Sequence, residues 1–302
     1  MEENMSVNIP GHYVSQFSSN IQLKLQQAGS RLRGAVSTGS HVGDQASPVD
    51  QFGAVAANKV IGRFNPMGRV DATTDRRWVL PTDYDLPQLL DSFDKLRLLT
   101  DPESSYVTNA VNALGRAMDE EILSGMFGTN LTGVKAGTST TFPSASVVGV
   151  NQGAASATNL TVAKLKRAKR LLMAANVDVK SEMIYCAINA ANHDSLLDEV
   201  QVISADFNGG EAVLKEGNLM RFLGINFIHT ELLTTGTDDQ SGTSTQTPVW
   251  AQSGVHLGIW NDINTDISTR TDLQGLPYQA YAKGTFGATR LEEAKVIKIW
   301  TR

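Results

Sequence analysis

Cysteine is almost missing from this chain. Cys186 is the only one among 302 residues, which excludes a disulfide scaffold and any zinc cluster built on cysteines. Long apolar runs are missing too: the longest are a few residues, far short of the roughly 20 that cross a bilayer, so no membrane partner is expected. Basic charge is not in excess. With 26 Lys plus Arg against 31 Asp plus Glu the net charge is −5, which argues against a nucleic-acid reader. The residues after Met1 are acidic and polar where a secretory signal would be basic and then apolar, so export by that route is not expected. What remains is a soluble chain made in a reducing compartment. Its 41% hydrophobic and 19% charged residues suit a buried core, and its length corresponds to about two domains.

Patterns that carry chemistry are equally sparse. The sequence holds no G-x-S-x-G elbow, no G-x-x-x-x-G-K-[ST] loop and no G-x-G-x-x-G turn, so hydrolase, P-loop and dinucleotide readings have no anchor. His12, His41, His193, His229 and His256 lack the i, i+4 spacing of a helical zinc pair, and each reads as a surface or packed residue. No catalytic, cofactor-binding or metal-ligating residue is expected, and no cofactor. Asp119-Glu120-Glu121 occupies successive helical positions that point in different directions, the pattern of a solvated face. Asp238 and Asp239, in "TGTDDQSGTSTQT", lack the alternating ligands and closing Glu of a calcium loop and are expected at an exposed loop tip.

What is there is an uneven chain. Residues 1 to about 58 are rich in Ser, Gln, Gly and Ala, with one amphipathic stretch in which Val14, Phe17, Ile21 and Leu25 recur at helical spacing. Such a segment makes no core of its own, so it is either disordered or held by something larger. Between Lys59 and Leu80 two extended stretches flank Asn65-Pro66-Met67-Gly68, the residue order of a type I turn. The arms of that hairpin carry Arg63, Arg69, Arg76 and Arg77 and little apolar surface; it either lies on a neighbouring chain or is an ordinary surface hairpin.

From Asp101-Pro102, an N-cap followed by proline at the first helical position, Val107, Val111, Leu114, Met118 and Ile122 repeat every three or four residues up to Gly125 and Gly128. The spacing predicts a helix of about 40 Å, well over twice the usual length. After a Gly, Ser and Thr-rich stretch over 124–158, Thr161 is expected to cap a second helix with Leu165, Ala168, Leu172 and Ala175 on its apolar face. Lys164, Lys166, Arg167, Lys169 and Arg170 form the rest of that helix and read as a solvated or subunit-facing side. A strand at "MIYCAI", a helix over about 189–200 and strands at "RFLGINFIHT", "VHLGIW", "YQAYAKGTFGATR" and "AKVIKIW" complete an α+β pattern.

Several segments together resemble the major capsid protein of tailed bacteriophages with the HK97-type shell fold. They are "QFSSNIQLKLQQAGSRLRGAV", "RRWVLPTDYDLPQLLDSFDKLRLLTDPESSYVTNAVNALGRAMDEEIL", "LKEGNLMRFLGINFIHTELL", "GVHLGIWNDINTDISTR" and "YQAYAKGTFGATRLEEAKVIKI", in the expected order over well over half the chain. The resemblance implies an N-terminal arm (1–58), an extended E-loop (59–85), a peripheral domain with the long spine helix (86–150 and 271–302) and an axial domain (151–270). It implies assembly of the chain with itself into hexamers and pentamers of an icosahedral phage head around double-stranded DNA, touched weakly and without sequence preference. A portal protein, and in some heads a decoration protein, would join it, in a virion shell made in the host bacterial cytoplasm. Phe17, Ile21, Leu25, Arg63, Phe64, Asn65, Met67, Arg69, Arg76 and Arg77 are then the inter-subunit candidates.

Two departures from the family pattern matter. The motif begins within twenty residues of Met1, which leaves no room for a cleaved scaffolding segment and implies a separate scaffolding protein. Lys59 is the only lysine near the hairpin and sits at its base, so no crosslink between subunits is expected. A close alternative is an encapsulin-like shell around protein cargo; a more distant one is a hydrolase or transferase of unfamiliar type.

Overall fold

The computed structural model describes residues 26–44, 46–59, 62, 68–90, 103–133, 135–199, 202 and 219–302. The chain divides into two compact units, one of residues 1–30, 83–117 and 261–285, the other of residues 31–82, 118–260 and 286–302. Among the described residues helices are few: α1 (Glu103–Phe127), α2 (Val162–Ala174) and α3 (Ala190–Leu197). The rest is mainly strand, so the α+β expectation holds.

The larger unit is organised by a mixed sheet. Its strands are β7 (Val147–Val148), β8 (Ile184–Ile188), β9 (Arg221–Phe222), β10 (Ile225–His229), β11 (Thr235–Thr237), β12 (Thr243–Ala251) and β15 (Val296–Thr301), in the order β7-β15-β12-β8-β10-β9 with β11 on β12. β10 runs parallel to β8, whereas β12 is antiparallel to both β8 and β15. Leu165, Ala168 and Leu172 of α2 and Leu196 of α3 close one core with Ile184, Cys186, Val249, Ile297 and Ile299 from the sheet. Burial of each of the Leu, Ile and Val side chains among them contributes about 1.5–3 kcal/mol. The Thr161 side chain accepts from the Lys164 N–H and Asn189 from the Asn192 N–H, so both helices start at Ser/Thr/Asn caps.

β12 escapes the sequence pattern because its strand is marked by threonines rather than by an apolar run. Thr247 is buried yet satisfied: its hydroxyl accepts from the Asn192 amide at 3.0 Å and meets Thr301 Oγ1 at 3.1 Å.

A second sheet in this unit, ordered β2-β3-β5-β6, joins β2 (Ala46–Phe52), β3 (Thr74–Val79), β5 (Asn130–Thr132) and β6 (Thr138–Thr140). β2 and β3 are the paired base of the hairpin, so its first arm begins at Ala46, well before Lys59. Pro48 had hidden it, since proline inside a short run argues against a strand; β2 is an edge strand with a register shift between Ala46 and Val49, where a missing N–H is tolerated. β1 (Ser37–Ser40) adds in parallel to β13 (Val255–Thr269).

The smaller unit holds the first part of α1 with β4 (Thr82–Leu90), the outer half of β13 and the first half of β14 (Tyr278–Arg290), side by side in the order β13-β14-β4. Ala110 and Leu114 of α1 bury against Ala282, Tyr84, Leu86 and Ile263. At 25 residues α1 is about 38 Å long, as its apolar repeat predicts. Its expected cap at Asp101-Pro102 lies outside the described residues.

Candidate inter-subunit surface

The ribbon of β2 and β3 is bolted to its own chain at the base and bare further out. Arg77 is buried and donates to both carboxylate oxygens of Glu293, at 2.7 and 2.9 Å, while its Nε donates to Gln51 at 3.2 Å. Gln51 in turn donates to the Leu291 carbonyl at 2.7 Å. The Trp78 indole N–H reaches the Gly133 carbonyl at 2.7 Å, and Asp75 accepts from the Gly133 N–H at 3.0 Å. Outward of these ties the ribbon shows apolar surface to solvent: Phe52 is 75%, Val55 58% and Val70 48% exposed. Isolated exposed apolar residues are ordinary; three on one polar ribbon make it a candidate contact surface.

The candidate residues fall into three groups. Phe17, Ile21, Leu25, Arg63, Phe64, Asn65 and Met67 lie outside the described residues. Arg69 and Arg76 are exposed and engaged in surface ion pairs, Arg69 with Asp71 at 2.7 Å and Arg76 across the ladder with Asp50 at 2.6 Å. Arg77 departs from the reading of an exposed arm charge, because the strand alternation that turns Arg76 outward turns its neighbour in towards Glu293. Phe52 and Val55 precede Lys59, where the sequence pattern places the start of the arm.

The described part of the N-terminal arm makes hydrogen bonds to its own chain. In the smaller unit Gln26 donates to Asn109 at 3.1 Å, Arg116 donates to Gln26 Oε1 at 2.9 Å, and the Gly29 N–H donates to Asn112 at 3.0 Å. In the larger unit the carboxylate of Asp119 accepts from the N–H groups of Arg31 and Leu32, at 3.0 and 3.1 Å. Asp119 is fully buried, which overturns its reading as part of a solvated face; only Glu120 of the acidic run is fully solvent-facing. Arg31 donates to the His229 carbonyl at 2.7 Å, and the Trp250 indole N–H to the Ala35 carbonyl at 2.8 Å.

Two further polar residues read as solvated are structural. Lys164 is fully buried and its ammonium donates to the carbonyls of Thr158, Asn159 and Trp300 at 2.6, 3.0 and 2.9 Å. Burial pushes its pKa down to about 8, against the opposing attraction of Asp239. Asp238 is buried at the β11–β12 turn, where it accepts from Ser244 at 2.5 Å and from the Gln240 and Gly242 N–H groups; these bonds hold its pKa below the usual carboxylate range. Asp239, at the exposed tip, accepts from the Val150 N–H at 2.9 Å. Arg290 is also buried, donating to the Met126 carbonyl at 2.6 Å beside the Phe142 ring, where it ties the end of α1 to β14.

A cleft of about 710 Å³ in the larger unit is lined by Ile188, Ala190, His193, Asp194, Phe227 and His229 among others. Its histidines are spent on structure. His193 accepts from the Leu219 N–H at 3.3 Å and His229 faces Glu231 at 3.0 Å. Burial raises the Cys186 thiol far above its ordinary pKa, so it is a packed residue and not a nucleophile.

A model of the phage capsid protein family matches residues 9–301, and the chain belongs to that family. No curated protein matches the sequence. Among solved structures the chain is similar to the capsid of the cyanophage P-SCSP1u, at 14% identity over 100% of this chain and 97% of that one, with a TM-score of 0.73. It is similar also to the capsid of cyanophage Pam1, at 11% identity over 95% of each chain and a TM-score of 0.70. For the capsid of the native GTA particle the identity is 14% over 99% of each chain and the TM-score 0.69. These likenesses show the fold of phage capsid shells, in keeping with the HK97-type expectation, and the family match makes the protein a phage capsid protein.

Proposed function

We propose that the chain builds the hexamers and pentamers of a phage head that encloses double-stranded DNA, and that it does so without catalysing a reaction. The observation that supports this best is the family match along residues 9–301, joined to a ribbon that leaves Phe52, Val55 and Val70 exposed. In this reading residues 1–58 are the arm, 59–85 the E-loop, 86–150 with 271–302 the peripheral domain and 151–270 the axial domain. Many moderate interfaces per subunit then add, so that the shell is stable although one contact is weak.

The ribbon outward of Phe52, with Arg63, Phe64, Asn65, Met67, Arg69 and Arg76, meets the neighbouring subunit, as does the stripe of Phe17, Ile21 and Leu25. The loop between β13 and β14 offers a second surface. Arg270 there grips Asp272, which holds that carboxyl down to about 2, and the loop leaves Leu276 53% exposed. A separate scaffolding protein, a portal, packaged DNA held by weak non-specific contact and, in some heads, a decoration protein are the partners. The subunit is made in the host cytoplasm and ends in the virion. An acidic chain suits the role, since a strongly basic lining would bind the packaged DNA through counterion release.

Negative-stain microscopy of the protein produced with its scaffold tests the reading. Closed particles tens of nanometres wide are expected. Discrete small oligomers in their place would favour the enzyme alternative, and particles filled with protein cargo the encapsulin-like one.

A further inference from the structure

β1 is joined to β13 by a contact between two imidazoles. The strands run parallel with Ser37 opposite His256 and Gly39 opposite Gly258, and the ladder ends with the His41 N–H donating to the Ile259 carbonyl at 3.0 Å. Nε2 of His41 lies 2.9 Å from Nε2 of His256, with the rings edge to face and their centroids 5.2 Å apart. The two glycines make room for this. A Cβ on Gly39 would stand 2.9 Å from Cε1 of His256, and one on Gly258 2.8 Å from Cδ2 of His41, both closer than side chains tolerate.

The hydrogen bonds fix where the protons sit. Ser37 Oγ donates to the Val255 carbonyl at 2.8 Å, which leaves it to accept from Nδ1–H of His256 at 3.1 Å. Neutral His256 therefore carries its lone pair on Nε2 and accepts the Nε2–H of His41. A first proton on the pair enters at Nδ1 of His41 and leaves that hydrogen bond intact. A second enters at Nε2 of His256 and sets two N–H groups and two like charges head to head.

We propose that His41 and His256 form an acid-released latch, closed while Nε2 of His256 is unprotonated and opened by its protonation, which frees β1 from β13. The groups facing the pair are Ser37 from β1, Trp260 from β13, its ring 5.4 Å from that of His41, and Val79 from β3, which reaches Gly258. Among these contacts of the described residues only the two imidazoles titrate in the acid range, and none is a carboxylate. Burial, and then the charge of His41, lower His256 from 6.5 to about 4; burial lowers His41 as well. Because the folded value lies below the unfolded one, the unfolded state binds more protons in between, so the closed state is favoured above about pH 6.5 and loses stability as the pH falls towards 4.

Hydrogen exchange of the full chain, read as protection factors in peptides over 36–43, tests the latch. Protection is expected to fall roughly a hundredfold between pH 7 and 4, while β12 and β15 keep theirs. His256→Gln should remove the acid step, because an amide can turn its oxygen to the Nε2–H of His41, and His41→Gln should weaken it, since the facing imidazolium is gone while the burial of His256 remains. Wild-type protection over 36–43 that is the same at both pH values overturns the proposal, and so does an acid step that persists in His256→Gln.

Discussion

The guanidinium of Arg77 and the carboxylate of Glu293 form a two-pronged pair, at 2.7 and 2.9 Å, that fastens the base of the ribbon to the segment before β15. Arg76, next in the chain, carries the same charge to a surface partner, Asp50. The two arginines should therefore respond differently to the same substitution. Arg77→Glu sets two carboxylates together in a mostly buried place and should cost about 3 kcal/mol, whereas Arg76→Glu should cost about 1 kcal/mol or less. Urea unfolding of the unassembled subunit measures both; equal losses would mean that the Arg77 pair contributes no more than a surface one.

Asp119 predicts the behaviour of the arm. Asp119→Ala leaves the N–H groups of Arg31 and Leu32 without this acceptor, and at about 1–3 kcal/mol for each donor the loss should be about 2–6 kcal/mol. Asp119→Asn retains one side-chain oxygen and should lose about half as much. Limited proteolysis should show faster cleavage near residues 26–36 in the alanine variant. If cleavage there is unchanged, the arm is held by something other than this carboxylate.

Apolar periodicity made much of this legible before any coordinates. Leu114, Met118 and Ile122 trace the buried side of α1, Leu165, Ala168 and Leu172 that of α2, and each lies where its spacing put it. The polar residues that depart from the pattern share one reason. Asp119, Lys164, Asp238 and Arg77 bond to groups distant in sequence or to the main chain, and a one-dimensional pattern shows neither. A charged side chain is usually solvated, and it is the approach of the Leu32 N–H to Asp119, the Trp300 carbonyl to Lys164, the Gly242 N–H to Asp238 and Glu293 to Arg77 that makes these four exceptions. The ribbon was legible as a hairpin but not in extent, because Pro48 lies in the edge strand that begins it. The pairing of His41 with His256 needed the register of β1 on β13, which no local signal supplies.

Lys164 gives a pH-dependent prediction. Its folded pKa of about 8 lies below the ordinary 10.5, so between those values the unfolded chain binds more protons and wild-type stability should gain as the pH rises through that window. Lys164→Met removes this titration and leaves the carbonyls of Thr158, Asn159 and Trp300 without a donor, at about 3 kcal/mol or more near neutrality. The difference in unfolding free energy between the two proteins, followed from pH 7.5 to 10.5, isolates the lysine from other titrating groups. A difference that does not widen with pH would show that the ammonium keeps an ordinary affinity for its proton in the cage.

Phe52 separates folding from assembly. It stands at the end of β2, 75% exposed and opposite Thr74, where the described ribbon loses its ties to the rest of the chain. A charge placed on an exposed residue away from any core changes subunit stability by no more than about 0.5 kcal/mol. The same charge buried in an interface without a partner loses its hydration and is costly, and in a closed shell the loss repeats at every copy of the contact. Phe52→Asp should therefore unfold at nearly the wild-type urea concentration and yet give few or no particles when produced with the scaffold. Phe52→Leu, which keeps an apolar surface of similar reach, should restore them. The readouts are the urea midpoint of the free subunit and the particle yield in a sucrose gradient. Wild-type yield from Phe52→Asp would show that this end of the ribbon faces solvent in the shell and would move the inter-subunit contact to other residues.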